Sequence, residues 1–261
     1  MKSTTSVFIS LLASLIMTLL ETDETMAQAT AKGIKNIVLV HGTWADGSSW
    51  SKVIPLLEAK GFNVLAVQNP LTSLGDDVAA TKRAIELQNG PVLLVGHSWG
   101  GVVITEAGNH EKVAGLVYVA AAAPDEGQSF LELVQTAPAT PGNDQIRPDA
   151  YGFVSMSPKG IYEDFAQDLP KSEQQLILAT QGPQAFSALQ EKITKAAWKD
   201  KPSWYIVAVN DRMINPNLER LLAKKLNATT LELPTSHVAM LAQPEKVATF
   251  IIEAATNVGK K

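Results

Sequence analysis

The chain of 261 residues contains no cysteine. That one absence excludes disulfide bonds, thiolate metal sites and a cysteine nucleophile together. Histidine is scarce: His41, His97, His110 and His237 are scattered, and no two stand at the spacing of metal ligands, which argues against a zinc site. Runs of like charge are missing as well. The formal net charge is −4 and no basic patch stands out, so nucleic acid and anionic membrane surfaces are not expected partners. Internal repeats and low-complexity segments are also lacking. What remains, 46% hydrophobic and 18% charged, is the composition of one globular domain able to bury a full core.

A comfortable membrane span is lacking at the N-terminus. The apolar-rich stretch Val7 to Leu20 has 14 residues, too few to cross a bilayer easily but suited to the core of an export signal. Lys2 precedes it, and Ala27-Gln28-Ala29 follows as an A-x-A site with cleavage before Thr30. Residues 1–29 thus read as a signal peptide, and the product as periplasmic or secreted, with no stable membrane association once the signal is removed. Only one lysine lies ahead of the stretch, and the acidic Glu21, Asp23 and Glu24 lie behind it. Two alternatives stay open on that account: an uncleaved anchor, and a translation start at Met26 giving a cytoplasmic product.

Beyond the signal, apolar runs alternate with helical patterns. Asn36-Ile37-Val38-Leu39-Val40 is a continuous β-branched run, as a strand covered on both faces requires. A helix is expected over Ser49 to Gly61, with Pro55 a blemish near its first turn, then a strand over Phe62 to Val67 and a helix from Asp76 to Gln88. Strands at Val92 to Val95 and Val113 to Ala120 continue the alternation. Such βαβ units predict an α/β fold with a mostly parallel, doubly wound sheet. The rhythm breaks after Pro124 and returns at Trp204 to Val209, followed by a helix Asn217 to Leu226, a strand Thr229 to Leu233 and a helix Glu245 to Thr256. The core is therefore assigned to residues 30–124 and 202–261. Residues 125–201, rich in Pro, Gln, Gly and Ser, read as a helical cap, since an unstructured loop of that length is anomalous in a compact domain. A long connection packed on the surface is the plainer alternative.

The sequence Gly96-His97-Ser98-Trp99-Gly100-Gly101 sets a serine in G-x-S-x-G. Chance alone yields on the order of 0.1 such matches in a chain of this length, so context has to decide. An apolar strand precedes the motif and Val102 to Gly108 follows as a helix, the strand–turn–helix setting that pushes a nucleophilic Oγ clear of the backbone. A serine hydroxyl needs a base in reach, oriented by a carboxylate. His237 is the downstream histidine that follows a late strand, in the loop Thr235-Ser236-His237. His110 reads as surface, His97 as packing or support within the elbow, and His41 as a brace for its loop. Asp211 follows the run Ile206 to Val209, at the strand end where such sheets place their sites. Asp125, after the preceding strand, is the competing acid. Two backbone N–H groups must face the developing oxyanion; Trp99 and Thr43, the latter in the loop His41-Gly42-Thr43-Trp44, are the candidates.

The chain resembles the α/β-hydrolases, and more narrowly is similar to bacterial carboxylesterases related to plant methyl-ester hydrolases and hydroxynitrile lyases. The resemblance is carried by Val40-His41-Gly42-Thr43-Trp44, the Gly96 to Gly101 elbow, Ala123-Pro124-Asp125-Glu126-Gly127, Asp164 to Pro170, Ala197 to Trp204, Asn210-Asp211-Arg212 and Ser236 to Leu241. It covers nearly everything from residue 34 to 256. It implies Ser98 as nucleophile, His237 as base, Asp211 as acid, and Thr43 and Trp99 as oxyanion donors, with no cofactor and no metal. The lyases of that group carry a threonine where Gly42 stands and a lysine where Val238 stands, so lyase activity is not expected. The resemblance implies a serine hydrolase cleaving small to medium carboxylic esters through an acyl-enzyme. A small-molecule receptor that keeps the triad without turnover is the alternative from another class. A lactonase, perhydrolase or acyltransferase would use the same residues. Trp44, Trp99, Met156, Phe165 and Phe186 could shape an aromatic-friendly pocket, and each could equally be core.

Overall fold

The computed structural model describes residues 34–259; the signal peptide read at 1–29 lies outside them. Six parallel strands form the central sheet: β1 (Asn36–Val40), β2 (Asn63–Ala66), β3 (Val92–His97), β4 (Val113–Val119), β8 (Ser203–Ala208) and β9 (Thr229–Leu233), in the order β2-β1-β3-β4-β8-β9. Every residue of β1, β3 and β8 is buried, which is why these strands read as unbroken apolar runs rather than alternating ones. Helices α1 (Ile54–Glu58) and α8 (Pro244–Asn257), the latter preceded by the short α7 (Ala239–Ala242), pack on each other and, through α8, on β3 and β4. Helices α2 (Leu74–Glu86) and α3 (Trp99–Ala107) pack together over β1, while α6 (Pro216–Lys225) packs on β8. The sheet is thus the doubly wound one that the alternation predicts.

Local chemistry sets the helix ends. Ser73 caps α2, its Oγ accepting from the Asp76 N–H at 2.9 Å. Asp76 and Asp77 lie in the first turn and Arg83 in the last, each at the end of the helix dipole that favours it. The helix expected over Ser49 to Gly61 needs correction. Residues Gly47–Trp50 form a 3-10 turn and the α-helix begins only at Ile54. Pro55 has no N–H to offer, so it marks the first turn of a short helix instead of interrupting a long one.

The insertion between β4 and β8 is only partly the helical cap that its sequence suggests. It holds α4 (Phe130–Val134), closed by a Ser129–Glu132 capping box, the π-helical turn Ile161–Phe165 and α5 (Lys171–Thr180). It also holds an antiparallel sheet of β5 (Ile146–Pro148), β6 (Phe153–Met156) and β7 (Gln184–Ala185). These strands have 3, 4 and 2 residues, too few for a period of two to register in the sequence.

Two contacts fix the turn from β3 into α3. A Cβ on Gly96 would lie 2.5 Å from the Gly100 carbonyl oxygen, and one on Gly100 would lie 2.5 Å from the Val40 carbonyl oxygen. Those obstacles are backbone atoms and cannot rotate away. The second anchor is Asp77, fully buried, which accepts from the Trp99 indole N–H at 2.7 Å and the Leu71 N–H at 2.8 Å. Burial pushes its pKa up to about 6, against the opposing effect of those donors.

Two measurements test this arrangement. Replacing Gly100 by Ala forces β1 and α3 apart and is expected to lower unfolding stability by about 2–3 kcal/mol in urea titrations. The second concerns pH. Asp77 binds its proton more tightly in the folded chain, so its contribution is fully present below about pH 3.8 and is lost as pH rises through about 6. The stability difference between wild type and Asp77→Asn should therefore move toward wild type, by at most about 3 kcal/mol, between pH 7 and pH 4. A difference that is flat across that range overturns the assignment.

Candidate active site

Ser98 sits at the end of β3 with φ 55° and ψ −119°, a left-handed conformation costly for any residue with a side chain. Its N–H donates to the Val119 carbonyl at 3.2 Å, and its own carbonyl accepts from Gly101 at 3.0 Å and Ala122 at 3.2 Å. The turn is thereby tied to both neighbouring elements, and Oγ projects from it.

His237 follows β9. Its Nε2 lies 2.8 Å from Ser98 Oγ and its Nδ1 lies 2.5 Å from Asp211 Oδ2. Asp211 follows β8, and its other oxygen, Oδ1, accepts from the Met213 and Ile214 N–H groups at 2.6 and 3.0 Å. A carboxylate on Nδ1 keeps the proton there and leaves the Nε2 lone pair for the serine hydroxyl. The three side chains form one hydrogen-bonded chain although they are separated by up to 139 residues, and all three are buried.

The remaining polar groups support this chain. His97 Nε2–H donates to the His237 carbonyl at 2.9 Å, and the two rings stand 4.7 Å apart. Burial, and then the neighbouring His237, hold the His97 pKa well below the usual histidine value, so His97 stays neutral. His41 accepts from the Asn69 N–H at Nε2, 2.9 Å, and donates from Nδ1 to the Gly42 carbonyl at 2.8 Å; burial lowers its pKa too. Both expected supporting histidines therefore brace backbone. Behind the acid lies Glu219, fully buried, with Oε2 accepting from the Ala208 N–H at 3.0 Å. Burial first and the Asp211 charge second raise its pKa well above the carboxylate range, so it is a neutral acid.

Thr43 lines the cavity that contains Ser98 and His237. Gly42 lets its loop approach: a Cβ there would lie 2.6 Å from that of Ser98. Trp99 is the first residue of α3, and a first-turn N–H has no acceptor inside its own helix. The indole of Trp99 is turned away to Asp77, and Met156 is core, whereas Trp44 and Phe186 do line the cavity. Phe165 stands edge-on to His237 at 5.3 Å. The competing acid is elsewhere: Asp125 pairs with Lys225 at 3.0 Å. His110, beyond the C-terminal end of α3, pairs with Glu86 at 2.7 Å.

The insertion contributes contacts that nothing in the sequence pattern announces. Arg212 Nε donates to Asp164 at 2.7 Å, Gln167 Nε2 to the Asn210 carbonyl at 2.8 Å, and the Ser236 N–H to Asp168 at 2.7 Å. One short segment thus clamps both the loop that carries Asp211 and the loop that carries His237. Among the described residues no group of three or more His, Asp or Glu side chains could hold a metal ion, and no helix is long and apolar enough to cross a membrane.

Known proteins carry the same architecture. The chain is 27% identical over 256 residues to a pyrethroid hydrolase of Sphingobium wenxiniae, covering 85% of this chain and 88% of that one. It is 30% identical over 257 residues to salicylic acid-binding protein 2 of Nicotiana tabacum, covering 85% and 97%. Among solved structures, polyneuridine aldehyde esterase superposes with a TM-score of 0.73 at 20% identity, over 84% of this chain and 98% of the other. The pyrethroid hydrolase of Sphingobium faniae gives 0.74 at 22%, over 87% and 99%; at these identities the likeness is one of fold. A family model matches residues 37–250, from the first strand into the last helix, and with it the chain belongs to the alpha/beta hydrolase family.

Proposed function

We propose that this protein is a serine esterase that cleaves small to medium carboxylic esters through an acyl-enzyme. The observation that carries the reading is the continuous chain from Ser98 Oγ through His237 to Asp211. Relatives named as hydrolases or esterases, among them the pyrethroid hydrolase and methylesterase 2 of Arabidopsis thaliana at 26% identity, support the reaction class.

In the first half-reaction Ser98 Oγ bonds to the ester carbonyl carbon while His237 Nε2 takes the hydroxyl proton. Asp211 stabilises the imidazolium and keeps its orientation. The carbonyl oxygen, now negative, lies against the N–H groups of Thr43 and Trp99; the positive end of α3 adds to their effect. His237 returns the proton to the leaving alkoxide, which departs as an alcohol. Water then attacks the acyl-enzyme, gives its proton to His237, and the acid is released with the serine restored. The neutral state of His97 suits this cycle, because a second cation beside His237 would oppose the imidazolium charge that develops there, and a neutral Glu219 leaves Asp211 without a repelling anion at its side.

The direct test is hydrolysis of a chain-length series of p-nitrophenyl esters by residues 30–261, with Ser98→Ala alongside. Turnover is expected at short and middling acyl chains, and the variant should lose at least about 10⁴-fold in kcat while unfolding at the same temperature. Full activity in Ser98→Ala ends the mechanism. Tight ligand binding with negligible cleavage by the wild type favours the receptor reading instead.

A second test addresses the clamp. Asp168 touches no reacting atom, so it is a positioning residue. Asp168→Ala is expected to lower kcat about tenfold with KM within about twofold. Asp168→Asn, which keeps an acceptor for the Ser236 N–H, should recover most of that loss. Equal kcat in all three forms removes Asp168 from the account.

A further inference from the structure

A second carboxyl group stands behind the acid of the catalytic chain. Glu219 lies on α6, the helix packed on β8, and has no exposed surface; Asp211, just after β8, is 5% exposed. Glu219 Oε2 accepts from the Ala208 N–H at 3.0 Å, whereas Oε1 is offered no N–H or hydroxyl donor. The Glu219 and Asp211 carboxyl groups lie in hydrogen-bonding contact with each other.

Two buried carboxyl groups in contact cannot both be ionised. Donors decide which one holds the proton, because each donor favours the charged form of the group it meets. Asp211 accepts from the Met213 N–H at 2.6 Å, the Ile214 N–H at 3.0 Å and His237 Nδ1 at 2.5 Å. Glu219 accepts only from Ala208. Asp211 is therefore the carboxylate and Glu219 the acid. Oε2 already receives an N–H, as a carbonyl oxygen does, so the proton belongs on Oε1.

The other ionisable groups nearby are engaged elsewhere. On β8, the Tyr205 hydroxyl donates to the Ala121 carbonyl at 2.5 Å and accepts from the Ala121 N–H at 3.2 Å. Arg220, the next residue of α6, forks onto Glu232 of β9 through Nε and Nη2, both at 2.8 Å. Across the site, His237 faces Ser98 and the neutral His97. From the insertion, Asp168 accepts from the Ser236 N–H, and Asp164 pairs with Arg212. None of these side chains bonds to Glu219, which leaves the Asp211 carboxylate as the acceptor for its proton.

We propose that Glu219 is a positioning residue of the catalytic chain: its Oε1–H donates to the Asp211 carboxylate, adding a fourth member to Ser98, His237 and Asp211. The bond fixes the carboxylate and draws charge away from the oxygen that faces His237. It thereby sets how tightly the imidazole holds a second proton. The kinetic part of the inference rests on the esterase reading; the bond between the two carboxyl groups does not.

The test follows kcat/KM for p-nitrophenyl acetate from about pH 5 to about pH 9 in wild type, Glu219→Gln and Glu219→Leu. The acid limb reports the protonation of His237 in the free enzyme. Gln keeps a carbonyl for the Ala208 N–H and an N–H for Asp211 and is uncharged at any pH. Its limb should stay within about 0.2 pH of wild type. Leu removes the donor, leaves more charge on Asp211 and should raise the limb by about 0.5–1 pH unit. A limb that Gln moves to lower pH overturns the proposal, because it shows that Glu219 was an anion. A limb that Leu leaves in place also overturns it, because the side chain then only fills space. If the Leu variant fails to fold, infrared difference spectra of wild type against Glu219→Gln decide, taken at about pH 8, where ordinary carboxyl groups are ionised. The carbonyl stretch of a protonated carboxylic acid is expected, and a carboxylate band alone overturns the proposal. If wild type cleaves no ester, the esterase reading fails separately, and the same shifts are read from an NMR titration of the His237 ring protons.

Discussion

The site depends first on one backbone conformation. Ser98 holds φ 55°, and this unfavourable turn does two things together: it lifts Oγ off the end of β3 and starts α3 immediately behind it. Ser98 Oγ and a first-turn N–H thereby come from adjacent residues, fixed relative to each other by the peptide bond itself. Such strain persists only where surroundings leave no other choice. Here the surroundings are the Val119, Gly101 and Ala122 hydrogen bonds and the backbone contacts that leave no room for a Cβ at Gly96 and Gly100. Those contacts need β1 and β4 to flank β3 in parallel, the arrangement that also buries all three strands almost completely, so core and site share a cause.

A second constraint is electrostatic. His41, His97, His237, Asp211 and Glu219 are all buried, and five ionisable groups in one dry region would be ruinous if each carried charge. Burial resolves the matter by neutralising three of them: the two supporting histidines lose their protons and Glu219 keeps its own. Each neutral group then has a definite hydrogen-bonding direction. His97 donates to a carbonyl, and His41 both accepts and donates. The hydrogen bond between Ser98 Oγ and His237 Nε2 is therefore set against a background with fixed dipoles and few competing charges.

What could be read in the sequence is what lies at strand ends. Ser98, Asp211 and His237 each follow a strand, and in a parallel sheet all C-terminal strand ends lie on one edge, so the order of elements was enough to bring them together. Thr43 follows β1 in the same way and lines the cavity with Ser98 and His237. Asp77, Glu219 and Asp168 could not be read that way. Asp77 and Glu219 lie on helices, where an acidic residue near the N-terminus already has a reason to exist. Asp168 meets Ser236 across 68 residues of chain, inside an insertion whose strands are too short to leave a pattern. The expected helix over 49–61 failed through Pro55, whose effect depends on where the first turn falls, and that position is set by packing.

The insertion serves both the geometry of catalysis and the shape of the site, and these demands conflict within one segment. Phe165 stands edge-on to His237 and also lines a cavity of about 470 Å³ with Trp44, Val238 and Leu241, while Asp164, Gln167 and Asp168 beside it hold the loops of Asp211 and His237. A change of side chain there, made to admit a different molecule, would also move the imidazole. Leu176, Ile177 and Thr180 on α5 line the same cavity from the other side, and no side chain among them bonds to either loop. That face of the wall can vary without disturbing the proton chain. The cavity wall is thus separable from the Asp211 and His237 loops on α5, but not on the strap between the π-helical turn and α5.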